Sequence, residues 1–369
     1  MKMKILVTGA TGLIGSQLAL RLANEGHEVH ALYRSIDKTN NLAHPNVHFF
    51  EGDILDYQSI EKAVEGCQTV FHLAAYAKIW AKNPDTFYQI NVQGTSNVLN
   101  AAKKMHVKRF ILTSTAGKYG PSVSIVTEET IRNLPFFTTY EETKQVSEKK
   151  ALEASNKNFE VVIVNPTRVY GPGLLSESNG VTRLIKLYLE NKFNIIPGNG
   201  SSIGNYVYID DVVDGHIRAF EKGKPNENYI LGGENISFDD FFEKLSLSSK
   251  KDRKMIHIPL IVLTIVAFLF EIKTYVFKSP PLITRNWLNR YMYNWEISSQ
   301  KAIDEIGYEI TPIDIGLKKT IEWFEKGHKN NTPRANAMIR RILLISFIAI
   351  FFLSDCVYGI VRNKKKRYK

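Results

Sequence analysis

Cysteine is almost absent from this chain of 369 residues, which carries only Cys67 and Cys356. Two thiols so far apart build neither a disulfide framework nor a zinc-ligand cluster, so no metal is expected and a reducing compartment is. The chain also lacks a leader-like start: MKMKILVTGA enters a strand-like run within three residues, with no apolar stretch or small-residue cleavage site. The body is therefore expected in the cytoplasm. A basic stripe interleaved with aromatics is missing as well. The net charge is +11, but from Arg334 onward nine Lys or Arg face the single Asp355, so the tail supplies +8 of it. A mildly basic body argues against nucleic acid as a partner. With 44% hydrophobic and 23% charged residues, the composition excludes both disorder and a polytopic membrane protein.

The first half alternates short β-branched runs with longer helical patterns. Strands are predicted at 4–8, 28–33, 47–50, 69–73, 109–114 and 161–165, and helices at 12–25, 58–65, 85–104 and 138–155. That order builds an α/β fold, a doubly wound parallel sheet of the Rossmann type. A dinucleotide-binding domain is predicted over 1–166, with 205–232 returning to its sheet as a strand and a helix capped by Asp210 or Asp211. The Pro/Gly-rich loops NPTRVYGPG and IIPGNGSSIGN open a smaller, mostly helical substrate domain over 167–204 and 233–328. A length above 300 residues fits such a pairing. No internal repeat is visible.

Directly after the first strand stands TGATGLIG, which opens a helix. Gly9, Gly12 and Gly15 suit a tight turn, close backbone approach to a pyrophosphate, and close helix–strand packing, while the helix N-terminus offers free N–H groups. Gly9, Thr11, Gly12, Leu13, Ile14 and Gly15 are thus candidates for holding a dinucleotide. At the end of the second strand a NAD site would place a carboxylate, whereas the chain reads HALYRS. Arg34, with Ser35 and Lys38, suits a 2′-phosphate, so NADP is expected in preference to NAD. Asp53, followed by Ile54 in GDILD, is a candidate acceptor for the adenine amino group and equally a helix-cap aspartate.

Tyr140 and Lys144 in TTYEETK are four apart, on one face of a helix. A free phenol titrates near 10, and a neighbouring ammonium favours the phenolate, which is the chemical reason for such a pair. The pattern is weak alone and gains weight from following a strand end rich in hydroxyls, RFILTSTAGKYG, where Thr115, with Ser114 second, faces the ligand crevice.

With these motifs placed, the chain resembles the extended short-chain dehydrogenase/reductases of the NAD-dependent epimerase/dehydratase family. It looks most like their dihydroflavonol-4-reductase-like and farnesol-dehydrogenase-like branch. The likeness runs from about residue 4 to 325 and rests on TGATGLIG, GDILD, VFHLAA, NVQGTSNVLNAA, TSTAG, YEETK, NPTRVYGPG, VYIDDVVDGH and YILGGEN. It implies Thr115, Tyr140 and Lys144 as a catalytic triad, with Lys144 also gripping the nicotinamide ribose. It further implies Ala74 lining the cofactor, Asn91 supporting a proton-relay water, and Pro166 on the nicotinamide side. Thr stands where reductases of this branch more often carry Ser, and both supply a hydroxyl.

Sugar dehydratases of this superfamily carry an Asp-Glu pair directly after the catalytic Thr, where this chain has Ala116 and Gly117. Dehydration is therefore not expected. Nucleotide-sugar epimerases need cations in the smaller lobe, and that lobe instead contains the apolar run 258–270, expected as a buried helix. The reading that results is an oxidoreductase interconverting an apolar secondary alcohol with an aldehyde or ketone. The alternatives are an epimerase of nucleotide sugars or sugar lipids working through a transient ketone, and a non-catalytic dinucleotide-binding membrane protein. Beyond the likeness, the apolar segment 342–361, flanked by Arg340, Arg341 and KKKRYK, reads as a C-terminal helix that attaches residues 340–369 to an anionic lipid membrane. A homodimer is left open.

Overall fold

Strand β1 (Lys4–Thr8) sends Ile5 and Val7 to one face and Leu6 to the other, and all three are fully buried. The same division recurs in β5 (Arg109–Thr113) and β6 (Glu160–Pro166): Ile111, Val162 and Val164 face one side, and Phe110, Leu112, Val161 and Ile163 the other. Strands covered on both faces read as unbroken apolar runs, which is why the sequence marks them so clearly. A computed structural model of the protein describes residues 2–175 and 179–327.

The remaining strands are β2 (Glu28–Tyr33), β3 (Val47–Glu51), β4 (Thr69–His72), β7 (Arg168–Tyr170), β8 (Ile195–Pro197), β9 (Ile203–Tyr208), β10 (Asn228–Leu231), β11 (Glu234–Ser237) and β12 (Ile256–Ile258). Seven form one sheet in the order β10-β6-β5-β4-β1-β2-β3, every pairing parallel. The helices Leu13–Asn24 and Ile209–Lys222 cover one face, and Tyr57–Val64, Thr95–Lys104 and Thr139–Ala154 the other. This is the expected doubly wound architecture. The strand order reverses between β1 and β4, and the crevice at their C-terminal ends is where such sheets bind ligands.

Three sequence expectations are corrected. The strand within NYVYIDD, β9, does not rejoin the main sheet; it pairs with β7 and β11 in a separate three-stranded sheet, and β10 makes the return. The following helix begins at Ile209 with Tyr208 as N-cap, so Asp210 and Asp211 occupy its first turn, where carboxylates suit the helix dipole. Asp211 is spent elsewhere, accepting from the Thr311 N–H at 2.8 Å and from its hydroxyl.

The third correction concerns the run 258–270. The helix it begins extends through Leu260–Phe277, and of its side chains only those of Ala267, Phe270 and Thr274 are buried. Packing on one narrow edge leaves the apolar remainder facing outward. The segment 340–369, expected as a membrane-attaching tail, lies outside the described residues.

Candidate active site

Gly9 takes a left-handed conformation, φ +71°, and a Cβ there would lie 2.7 Å from the Ala74 nitrogen. The turn thereby lets β1 lie against the chain leaving β4. A Cβ on Gly15 would stand 2.2 Å from the Gly9 carbonyl oxygen, so the first helical turn seats directly on the loop. Gly12 is different: it caps the helix, its own carbonyl accepting from Ser16 at 3.0 Å, and it is exposed with only the Gly9 oxygen nearby. It presents bare backbone where a phosphate is expected. Leu13 and Gln17 lie under Gly173, and Gln17 donates to the Pro172 carbonyl at 2.9 Å, so the NPTRVYGPG segment is strapped to the glycine loop. Thr11 and Ile14 are half-buried within it.

Arg34 and Asp53, read separately from the sequence, stand beside each other: Arg34 Nη1 lies 3.5 Å from Asp53 Oδ2, both exposed. Asp53 also accepts from the Leu55 N–H at 2.9 Å. Ile54 is buried against Gly94, and Ala74 donates its N–H to the Thr8 hydroxyl at 3.3 Å.

The helix Thr139–Ala154 begins with Thr138 accepting from the Glu141 N–H. It carries Tyr140, Lys144 and Glu148 at successive intervals of four, hence along one stripe. Glu148 is buried, ion-paired with Lys118, and accepts from Asn165 Nδ2 at 2.7 Å. Asn165 stands near the end of β6 and also donates to the Thr115 carbonyl at 3.4 Å. One amide thus ties the hydroxyl-bearing strand end to the stripe. Thr115 Oγ1 accepts from the Gly117 N–H at 3.2 Å, leaving its own proton to donate. Ser114 is buried away from the pocket, its hydroxyl unpartnered among the described residues.

Burial governs both titrating groups of the pair. It pushes the Tyr140 phenol up to about 12, opposed by the Arg290 guanidinium. It pulls the Lys144 ammonium down to about 8, opposed by Glu148. Arg290, which the sequence did not mark, is thus a cation that favours the phenolate. Lys144 is 1% exposed and makes no hydrogen bond among the described residues. Its charge helps hold the His72 imidazole at about 3, mainly through burial, so His72 is a neutral bridge between the Thr8 and Thr95 hydroxyls.

Asn91 lies within a π-helical turn, Gln89–Gly94. Its side chain accepts from the Tyr76 N–H at 2.7 Å and donates to the Thr143 hydroxyl at 2.9 Å. Its carbonyl accepts from Thr95 and Ser147, at 2.6 and 2.5 Å. Thr143 and Ser147 both belong to the helix of Tyr140, so Asn91 clamps that helix to its neighbour.

Beside Thr115 opens a pocket lined also by Ala116, Gly117, Thr167, Arg168, Asn205, Arg290 and Trp295. Pro166, paired with Leu231 in the sheet, leads directly into its wall at Thr167. Two guanidiniums in this pocket contradict the expectation that the smaller lobe offers none. Arg168 lies over the rings of Tyr206 and Phe238, and Arg290 over Trp295 while bonded to Glu141. Neither arginine stood out in sequence, because nothing local marks a side chain whose partner is 149 positions away. Glu141 was legible only as the neighbour of Tyr140, yet it is fully buried.

A glycine cradle at a strand end and a Tyr–Lys stripe beside a strand-end hydroxyl coincide with a family match: residues 5–232 fit the model described as the NAD dependent epimerase/dehydratase family. The chain belongs to this family. It is 27% identical over 326 residues to a protein of Synechocystis sp. named putative dihydroflavonol 4-reductase, covering 86% of this chain and 94% of that one. Short-chain dehydrogenase/reductase family 42E member 1 of Bos taurus is 29% identical, with 89% and 88% covered. Among solved structures, UDP-glucuronic acid 4-epimerase of Bacillus cereus in complex with NAD superposes with a TM-score of 0.71 at 26% identity, over 88% of this chain and 99% of the other.

Proposed function

We propose that this enzyme interconverts an apolar secondary alcohol with its ketone, or an alcohol with its aldehyde, Tyr140 handling the proton. The observation that carries this reading is the continuous link from Thr115 through Asn165 to Glu148, on the same helical stripe as Lys144 and Tyr140. When bound, the nicotinamide supplies or accepts the hydride. Tyr140, held as the phenol at neutral pH, gives its proton to the carbonyl oxygen in reduction and accepts one in oxidation. Thr115 donates a hydrogen bond to that oxygen. Lys144 holds the ribose hydroxyls, and Asn91 positions the helix that carries it. Ala116 and Gly117 supply no second acid and base, which supports oxidoreduction over dehydration.

The glycine cradle, with a Gly15 that no side chain could replace without clash, fits a dinucleotide pyrophosphate. Arg34 at the end of β2 supports NADP over NAD, which the relative of known structure binds. Residues 340–369 attach the enzyme to anionic lipid. Replacing Tyr140 by Phe abolishes NADPH consumption on any accepted ketone while leaving cofactor binding intact; persisting turnover would show the proton assignment to be wrong.

A second reading, epimerisation of a nucleotide sugar, is favoured by one observation, the Arg168 and Arg290 guanidiniums in the pocket. The two separate in one assay. Oxidoreduction consumes cofactor in proportion to product, whereas epimerisation of UDP-glucose or UDP-glucuronic acid leaves none consumed.

A further inference from the structure

The helix Leu260–Phe277 is long and apolar enough to cross a membrane by length and composition, yet it is packed along one edge of a folded body. Ala267, Phe270 and Thr274, spaced three and four apart, make its buried edge. The opposite side shows Ile261, Ile265, Phe268, Leu269, Ile272, Tyr275 and Val276, with exposures from 45% to 78%. Their spacing of three and four residues runs them into one continuous stripe along the helix. Leu282, just past the helix end, is exposed as well. Monomeric proteins rarely leave a contiguous patch of this kind in water.

The charges around the stripe are arranged for an interface. The helix carries one carboxylate, Glu271, and it is matched by Arg285, whose Nε lies 2.8 Å away and whose guanidinium stacks on Phe268 at 5.0 Å. Lys278 reaches back over the Tyr275 ring at 5.0 Å, an apolar stem on an apolar surface with its ammonium at the edge. Between 250 and 285 the chain holds seven Lys or Arg against two acids. Lys251 and Arg253 donate to the Leu189 carbonyl of the body, while Lys250 and Lys254 before the helix and Lys278 after it are exposed, and the helix core between Leu260 and Phe270 holds no charge at all. A protein groove has no need of cations at both ends of an apolar stripe; a sheet of anionic headgroups over acyl chains does. The same pairing of apolar run and basic flanks recurs in the sequence at 342–361, so one partner chemistry is written twice into this chain.

We propose that Leu260–Phe277 is a membrane-docking helix that lies in the plane of an anionic bilayer, its stripe among the upper acyl chains and its buried edge still seated on the enzyme. It does not span, because Ala267 and Phe270 remain packed on the body. The short helix Arg285–Leu288 packs against it and leads to Arg290 in the pocket wall, so docking brings the pocket to the lipid surface.

The test uses the full chain with an environment-sensitive fluorophore at Ile265→Cys in a Cys356→Ser background. Cys67, buried and with its thiol pushed up to about 12, stays unlabelled. Val123→Cys, at a fully exposed site, serves as control. With phosphatidylcholine vesicles containing phosphatidylglycerol and brominated acyl chains, emission at position 265 shifts blue and is quenched, while position 123 is unchanged. Replacing Phe268, Leu269 and Ile272 by Gln removes that quenching and leaves the protein folded. Vesicle binding without quenching at 265 would mean that the tail alone attaches the protein, and would overturn the proposal. So would absence of vesicle binding, or a label already shielded in lipid-free solution by a second copy or by the chain's own tail.

Discussion

Arg290 donates from Nε to Glu141 Oε1 at 3.0 Å, joining the segment that follows the helix Leu260–Phe277 to the residue beside Tyr140. Glu141 is fully buried and also faces Arg132 at 3.4 Å and the Phe137 N–H at 3.1 Å. The pair therefore does two things: it closes the pocket wall, and it sets a cation near the phenol.

Arg290→Gln should separate these roles. Removing the cation lets burial push the phenol further up, so the alkaline rise of kcat/KM for alcohol oxidation moves to higher pH. Stability falls by about 1–3 kcal/mol, since Glu141 keeps Arg132 and one N–H. A Lys at 290 restores the pH profile more than the stability. An unchanged profile with lowered stability would confine Arg290 to packing.

Lys144 carries a stability signature of its own. Its ammonium titrates near 8 in the folded chain against 10.5 unfolded, so the charged form is penalised fully below about 8. That penalty is relieved as pH rises from 8 towards 10.5, by roughly 3 kcal/mol at most. Lys144→Met abolishes turnover, gains stability near pH 7 and loses the gain towards pH 10. Thermal unfolding of both proteins across that range checks it; parallel curves would contradict the buried ammonium.

Gly15 and Gly12 should fail in opposite ways. Gly15→Ala forces a methyl onto the Gly9 carbonyl and costs about 1–3 kcal/mol of stability. Gly12→Ala leaves unfolding nearly unchanged and weakens NADPH binding, because only the Gly9 oxygen, 3.2 Å away, meets the new methyl. Calorimetry and cofactor titration on the two variants distinguish them.

Arg34 offers the test of cofactor choice. Arg34→Ser should lower kcat/KM with NADPH by roughly 10–100-fold, the worth of one or two charge-assisted hydrogen bonds, with little change for NADH. Asp53→Asn, which frees the guanidinium, should move the ratio the other way. Equal loss for both cofactors would rule out recognition of the 2′-phosphate.

The sheet was legible because its inner strands are buried on both faces and read as apolar runs bounded by a glycine loop or polar turn; β1 and β2 match the expected limits residue for residue, and even the half-exposed edge strand β3 was found by its β-branched and aromatic run. The glycine loop and the Tyr140 stripe were legible because their geometry is local. Arg290, Arg168 and the Lys118–Glu148 pair were not, since their roles arise from partners distant in the chain. The helix Leu260–Phe277 misled for a different reason: a run apolar all round reads alike whether it is enclosed or laid bare. Likewise β9 looked like a sheet strand because a short alternating run does not say which sheet it joins.

The position of β10 at the sheet edge has a consequence for synthesis. When the ribosome has delivered residue 166, six strands are present and β6 is a bare edge; the strand that closes it begins only at Asn228. At about 5–20 residues per second that edge stays open for roughly 3–12 seconds. Nascent chains stalled before Asn228 should therefore crosslink to ribosome-associated chaperones through β6, and chains stalled well after Leu231 should not.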